Sequence, residues 1–323
     1  MAATDNSMEY TERLLSILLI EKSLSADMRI RVEAHAMAVI ENLSIDAGNF
    51  LHNLDAERHT EDEVKAAITH FPSAISHLND DDQLPCKAVD WYRRNYIPFI
   101  ALLAEEGAKL NVGGEGQRGG LRVEDYERNN VMQYLALYVD GLCIDVFNRL
   151  RKSDLLKKED IRQYDLMYRA STEAFEYFVD WDPKALKEYQ YNGEPILHAH
   201  LCAVMGRFAM TLKAGMKYYP EELGLLFKKN SNGDTGWKVA FDLDGEEKAW
   251  KTIEKCFEET HDAKIVERDP MTNLYPFMIA AAGKTSELNT LYYLLRRNPV
   301  VLECVGEMDG LDFGVDTKRK RES

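Results

Sequence analysis

Two histidines, His198 and His200, lie two residues apart in the segment LHAHL, and paired imidazoles are common zinc ligands. The segment has helical character, and side chains that share a helix face are three or four positions apart. The two imidazoles therefore point to different faces, which argues against a shared metal ion.

Two acidic segments, NDDDQ at 79–83 and DLDGEE at 242–247, offer the carboxylate oxygens that calcium prefers. The first lacks the glycine and the distal glutamate of a calcium-binding loop, and the second alternates acids over only three positions. Turn and helix-capping roles explain both segments, and we predict no metal site.

One glycine-rich segment, NVGGEGQRGG at 111–120, could hold a phosphate group. A phosphate-binding loop needs a strand before it and a lysine followed by serine or threonine after it. This segment instead follows the helical stretch FIALLAEEGAKL. We predict a long flexible loop that tolerates shortening, and Arg118 within it is a candidate for surface recognition.

The sequence offers no other catalytic arrangement, because it contains no nucleophile elbow, no nucleotide fingerprint and no cysteine and histidine paired near a pocket motif. Its five cysteines are odd in number, widely spaced and without a CxxC motif, which argues against a disulfide framework and a zinc site. We therefore expect a protein of a reducing compartment that is not an enzyme and needs no cofactor.

The charge of the chain limits its partners. Of 323 residues, 55 are acidic and 40 are basic, which gives a formal net charge of -15. Such a field repels phosphate and anionic lipid, so direct binding of nucleic acid or of a membrane surface is disfavoured, whereas a protein with a basic surface is a suitable partner. The sequence also lacks an apolar run long enough for a membrane span.

Four prolines end segments of one pattern. Apolar or small residues recur eight, five and four positions before each proline, which is the spacing of one helix face. Proline lacks a backbone N–H and disfavours helical geometry at the preceding residue, so each helix should end within about two residues of it. An aliphatic residue three positions later is predicted to be buried. The prolines are Pro72, Pro183, Pro220 and Pro299, and the aliphatic residues are Ile75, Leu186, Leu223 and Leu302.

A second element recurs about ten residues beyond these prolines. Each copy begins with a residue that tolerates a turn and then enters an apolar helical segment. The copies are DQLPCKAV, RNNVMQYL, GEPILHAH, GDTGWKVA and NLYPFMIA, and they start at residues 82, 128, 193, 233 and 273. Two successive spacings are 40, and the gap of 65 between 128 and 193 leaves room for an inserted helix.

This element resembles the G-x-T-P-L-H-x-A entry of the ankyrin repeat. The matching residues are Gly193, Leu197, His198, Gly233, Thr235, Ala240, Pro276 and Ala280. The sequence departs from the family where Trp237 and Phe277 replace the leucine and where Lys238 and Met278 replace the histidine. The chain is therefore similar to the divergent ankyrin-like solenoids of unicellular eukaryotes. In that family the histidine bonds the adjacent turn, which implies a structural role for His198.

The resemblance implies an all-α solenoid of about five divergent helix-pair repeats, although HEAT-type pairs also suit a period near 40. We predict a helical cap at 1–60, the repeat array at 61–305 and a disordered tail at 306–323. Such arrays stack units because one helix pair cannot bury both of its faces.

The resemblance also implies a protein-interaction scaffold that binds a partner through the concave face and the edge loops. Candidate binding residues are Trp91, Tyr92, Arg118 and Lys238. Trp237 occupies an apolar position of the motif, and we predict that it lies in the core.

An alternative function is that of a nuclear protein associated with chromatin or transcription. The N-terminal order of short helix, long helix and short helix superficially resembles a histone fold, with Thr60 as the predicted N-cap of the last helix. The tail carries a basic cluster, Lys318, Arg319, Lys320 and Arg321, with the composition of a nuclear import signal.

Overall fold

The structure is a computed structural model that describes residues 26–87, 94–138, 141–190, 194–203, 205–261, 267–270, 272–282, 288–297 and 299. The chain divides into two compact units, Met1–Ala185 and Leu186–Ser323. Within the described ranges the architecture is all-α apart from one short hairpin, which confirms the predicted fold class at that level. The division lies inside the predicted array of residues 61–305.

The helices of the first unit are α1 Ala26–His52, α2 Glu61–His70, α3 Ile100–Lys109, α4 Val131–Leu137, α5 Gly141–Lys152, α6 Lys158–Gln163 and α7 Thr172–Trp181. Short 3-10 helices cover Pro72–Ser76, Pro85–Lys87 and Arg94–Phe99, and a fourth, Pro183–Leu186, spans the division. Local sequence explains where α2 begins. The Thr60 hydroxyl accepts from the Glu63 N–H, and the Glu63 carboxylate accepts from the Thr60 N–H at 2.7 Å, so Thr60 is the predicted N-cap.

The second unit begins with the hairpin of β1 Tyr189–Gln190 and β2 Glu194–Pro195. Its helices are α8 Ile196–Ala203, α9 Met205–Tyr218, α10 Gly236–Asp244, α11 Glu246–His261, α12 Pro276–Ala282 and α13 Leu288–Arg297, with a 3-10 helix at Pro220–Leu225. These helices form the consecutive pairs α8–α9, α10–α11 and α12–α13, and α8 also packs on α10 while α9 packs on α11.

The four prolines end helices as predicted. The helices α2, α7, α9 and α13 end at His70, Trp181, Tyr218 and Arg297, two residues before Pro72, Pro183, Pro220 and Pro299. Phe71, Asp182 and Tyr219 share one non-helical backbone conformation, with φ of -129°, -136° and -135°. Each of these three residues donates its N–H to the carbonyl four residues earlier, at 2.7–2.9 Å.

The aliphatic residues after the prolines are buried as predicted where the structure describes them. Ile75, Leu186 and Leu223 are 2%, 1% and 1% exposed, and Leu302 lies outside the described residues. The shared backbone conformation turns the chain back so that this side chain reaches the core.

The core of the first unit is rich in phenylalanine. Phe147 on α5 and Phe178 on α7 are both fully buried, and their ring centroids are 5.0 Å apart. Helix α5 also packs on α3.

The core of the second unit is centred on Trp237, which is 3% exposed. Its ring centroid lies 4.9 Å from that of Phe241 and 6.0 Å from that of Trp250. The predicted core position of Trp237 is therefore confirmed, and aromatic side chains of this size dominate the energetics of a core.

The glycine-rich segment is not the flexible loop that the sequence predicts. It packs on α3 so closely that a Cβ at Gly119 would lie 2.1 Å from the Ala104 carbonyl oxygen. Gly119 has a φ of +69°, and Leu121 just beyond it is fully buried. The glycine content predicted a flexible backbone, but here the glycines permit left-handed turns and close contact between backbones.

Among the described residues, no helix combines the length and the apolar composition that crossing a bilayer requires.

Candidate functional site

One five-residue turn recurs at the edge of the helix pairs, at Asn79–Gln83, Asp125–Asn129 and Asn230–Asp234. In each copy the first N–H donates to the fifth carbonyl, at 3.1, 3.0 and 2.9 Å. The fourth residue has left-handed geometry, with φ of 57° at Asp82, 61° at Arg128 and 83° at Gly233. These are three of the five predicted start positions, so the turn prediction is confirmed there.

The first side chain holds each turn together. The Oδ1 atom of Asn79 accepts from the N–H groups of the third and fifth residues at 3.0 and 2.9 Å. Asp125 and Asn230 accept the same two hydrogen bonds, at 2.9–3.0 Å. A short Asn or Asp side chain reaches backbone groups two to four residues ahead, and this makes the turn rigid.

One further turn varies this pattern, while the third predicted start, Gly193, lies outside the described residues. At the fifth predicted start, Asn273 has a φ of 58°, and the turn that opens at Asp269 is one residue longer, with the Asp269 N–H donating to the Leu274 carbonyl at 2.9 Å. The hairpin pairs Tyr189 with Pro195, and the isolated bridge pairs Lys229 with Thr235, so both join residues at the same separation.

In the first unit a buried lysine joins two neighbouring turns. Lys87 follows the turn at 79–83, and its Nζ donates to the Val123 carbonyl at 3.3 Å and lies 3.6 Å from Asp125 Oδ2. The two side chains are only 2% and 4% exposed. Burial lowers the pKa of Lys87, and Asp125 opposes that effect. Burial would raise the pKa of Asp125, but hydrogen bonds from Tyr134 and from backbone N–H groups outweigh it and hold this pKa below its usual value.

The second unit joins two of its turns in the same way. His198 Nε2 donates to the Asp234 carbonyl oxygen at 3.1 Å, since a carbonyl can only accept. Ser231 Oγ also donates to the Glu194 carboxylate. The predicted role of His198, to bond the adjacent turn, is confirmed. Burial lowers the pKa of His198, so its imidazole is neutral near pH 7.

The tips of the turns in the first unit form an exposed acidic edge around one tyrosine. Tyr126 is 90% exposed, and Asp80, Asp81, Asp82 and Glu127 on the two turns are also exposed. The negative charge of Glu127 raises the pKa of Tyr126, and the buried contact of Lys87 with Asp125 joins the two turns. We call these five residues the acidic edge. It presents an aromatic ring and carboxylates on a rigid hydrogen-bonded support.

Arg118 does not point to solvent. Its guanidinium pairs with the fully buried Asp160 of α6 and donates to the Leu155 carbonyl at 3.1 Å. Arg122 binds the other carboxylate oxygen of Asp160 at 2.7 Å. This pairing ties the glycine-rich segment to α6, so the geometry favours a structural role for Arg118 over the predicted surface recognition.

Lys238 is exposed at the first turn of α10, where it pairs with Asp234 of the preceding turn. It therefore lies at an edge of the second unit, whereas Arg118 belongs to the first unit. Trp91, Tyr92 and the basic cluster Lys318, Arg319, Lys320 and Arg321 lie outside the described residues. Their roles stay predictions.

One buried pair has the composition of a catalytic dyad. His261 Nδ1 and Asp269 Oδ1 are 2.5 Å apart, and their side chains are 1% and 0% exposed. The second carboxylate oxygen accepts from the Thr272 N–H at 2.9 Å and from its hydroxyl at 2.6 Å. The enclosure of the pair and these bonds to the last turn favour a structural function. In the described part of the chain, no group of three His, Cys, Asp or Glu side chains is arranged to hold a metal ion.

Sequence reasoning missed the first residue of each turn. It identified positions 82, 128 and 233 as turn-tolerant starts, but not the Asn or Asp three residues before each of them. That spacing is a usable signal, because the side chain at this position supplies two of the turn's hydrogen bonds. Tyr126 was also missed, since nothing in the sequence marks its exposure. Comparison of the chain with protein-family models, with curated proteins and with solved structures finds no match.

Proposed function

We propose that this protein is a non-enzymatic scaffold of ankyrin-like repeats that binds a protein partner with a basic surface. The main observation in support of this proposal is the acidic edge, in which Tyr126 is 90% exposed on a turn fixed by internal hydrogen bonds. Rigid supports with exposed loop tips are typical binding platforms, because little conformational entropy is lost when the partner binds.

The repeat architecture is supported by the recurring turns, by the bonds that join neighbouring turns within each unit and by the common helix ending. In the second unit the pairs α8–α9 and α10–α11 pack first helix on first and second on second, as stacked repeats do. The formal charge of -15 favours a basic partner and adds to its association rate.

The proposal is tested with the full chain and a fluorescent lysine- and arginine-rich peptide, with binding followed by anisotropy at low and moderate salt. We expect saturable binding that weakens as salt rises. Tyr126→Ala should weaken it roughly two- to fivefold, the loss expected for one exposed cation–π contact of about 0.5–1 kcal/mol. Asp81→Asn should weaken it further and reduce its dependence on salt.

Tyr292→Ala is the matched control, because Tyr292 is 68% exposed but lies on α13 of the second unit. This variant should bind as the unaltered chain does. If the two tyrosine variants bind equally well, or if the peptide does not saturate the unaltered chain, the acidic edge is not the binding site.

We further propose that the chain acts in the cytoplasm or the nucleus, with Lys318–Arg321 as its import signal. The five cysteines of the sequence, odd in number, widely spaced and without a CxxC motif, support a reducing compartment. Deletion of residues 318–321 should move a fluorescent fusion out of the nucleus. An unchanged distribution would argue against the import signal and against the nuclear alternative built on it.

A further inference from the structure

The first two-thirds of α1 expose an unusual amount of apolar surface. The end of this 27-residue helix packs on the described part of the first unit, where Leu51 is fully buried and His52 bonds the His77 carbonyl at 2.8 Å. Of the twelve large hydrophobic side chains exposed in the described ranges, half lie on this helix: Met28, Ile30, Met37, Val39, Leu43 and Ile45. Single exposed apolar residues are ordinary, but such a concentration marks an interaction surface.

One stripe along α1 has the spacing of a helix interface. It consists of six exposed residues at i, i+4, i+7, i+8, i+11 and i+15, which are Ile30, Ala34, Met37, Ala38, Glu41 and Ile45. This α1 stripe is symmetric, since it has the same spacing when it is read in either direction. Its large apolar residues stand at both ends and at the centre, and two alanines between them allow another helix to approach closely.

We propose that the α1 stripe is the interface of a homodimer, in which the α1 helices of two copies pack antiparallel. A two-fold axis between Met37 and Ala38 places Ile30 of one copy against Ile45 of the other. Each contact between two residues then occurs twice, once on either side of the axis, as an isologous interface requires.

The charges along α1 suit this antiparallel arrangement. Arg31 borders the stripe and Glu41 lies within it, on opposite sides of the two-fold axis, so Glu41 of one copy comes near Arg31 of the other. In the single chain, Arg31 lies 3.4 Å from Asp27, and both side chains are more than three-quarters exposed. An exposed pair of this kind contributes little, so Arg31 can exchange Asp27 for Glu41 of a second copy at low cost. A parallel pairing would place like charges together.

The experiment measures the mass of the full chain by light scattering and sedimentation equilibrium over a range of concentrations. The contact covers about 22 Å of helix, so we expect a dimer of twice 37.0 kDa that dissociates in the micromolar range. Met37→Glu places two carboxylates at the two-fold axis and should give a monomer at about 200 µM. Val39→Glu is the matched control, because Val39 is 47% exposed on the opposite side of α1. It should leave the dimer intact.

Charge exchange tests the orientation. Arg31→Glu and Glu41→Arg should each raise the dissociation constant about tenfold, because the ion pair occurs twice in the dimer, and the double variant should restore it. Circular dichroism of every variant checks that the helix content is unchanged. A chain that is monomeric at about 200 µM, or a dimer that survives Met37→Glu, would overturn the proposal. A second copy would then not be the partner of this stripe.

Discussion

The packing of the glycine-rich segment gives the sharpest prediction, because two glycines of the same segment differ in one respect. Gly116 and Gly119 have φ of +79° and +69°, so alanine at either position must adopt left-handed geometry. This conformation costs a non-glycine residue about 1–2 kcal/mol. No atom lies within 4 Å of a Cβ at Gly116, whereas a Cβ at Gly119 lies 2.1 Å from the Ala104 carbonyl oxygen.

The difference between the two variants follows from that contact. Ordinary van der Waals contact begins at 3.4 Å, so Gly119→Ala forces the segment away from α3 by more than 1 Å. Forcing extra atoms into a packed region costs about 1–3 kcal/mol. We therefore expect Gly116→Ala to lower the free energy of unfolding by about 1–2 kcal/mol and Gly119→Ala by about 2–5 kcal/mol.

Chemical denaturation followed by circular dichroism measures the loss, and hydrogen exchange of peptides from residues 100–121 locates it in the first unit. Gly119→Ala should speed exchange along α3, while Gly116→Ala should not. Equal loss in the two variants would refute the close packing of this segment and would restore the flexible loop that composition suggests.

Three other predictions concern buried contacts. Leu294→Ala should cost about 2–4 kcal/mol in chemical denaturation, because Leu294 is 6% exposed and its removal leaves a cavity; an unchanged midpoint would contradict its core position. Asp160→Asn should lower the free energy of unfolding by about 2–4 kcal/mol, which is less than for a fully buried pair because Arg118 and Arg122 are 16% and 20% exposed. If this loss is the same at high salt, the pair is shielded from solvent. Burial holds the pKa of His198 in the folded protein below its unfolded value of about 6.5. His198 therefore contributes stability above about pH 6.5, and this contribution is lost as the pH falls towards the folded pKa. His198→Gln should flatten this part of the stability profile, and identical profiles would exclude a contribution from His198.

Local features were predictable from the sequence. The four helix ends follow from the steric effect of proline on the residue before it, and this effect needs no tertiary partner. The turns at 82, 128 and 233 were predicted from the recurring segment starts, although their left-handed geometry was not, and the N-cap role of Thr60 follows from the capping pattern. The resemblance to ankyrin repeats also predicted the hydrogen bond between His198 and the neighbouring turn.

The tertiary structure decided which surfaces are covered. The sequence could not show that Arg118 meets Asp160, because the two residues are 42 positions apart and either side chain alone suits solvent. The glycine content of residues 111–120 predicted a flexible loop, although backbone contact with Ala104 makes that segment tightly packed. The sequence likewise left open the exposure of Tyr126 and of the α1 stripe. Local propensity acts through neighbours in the chain, whereas burial and charge pairing depend on which distant segments meet, and that is settled only when the helices pack.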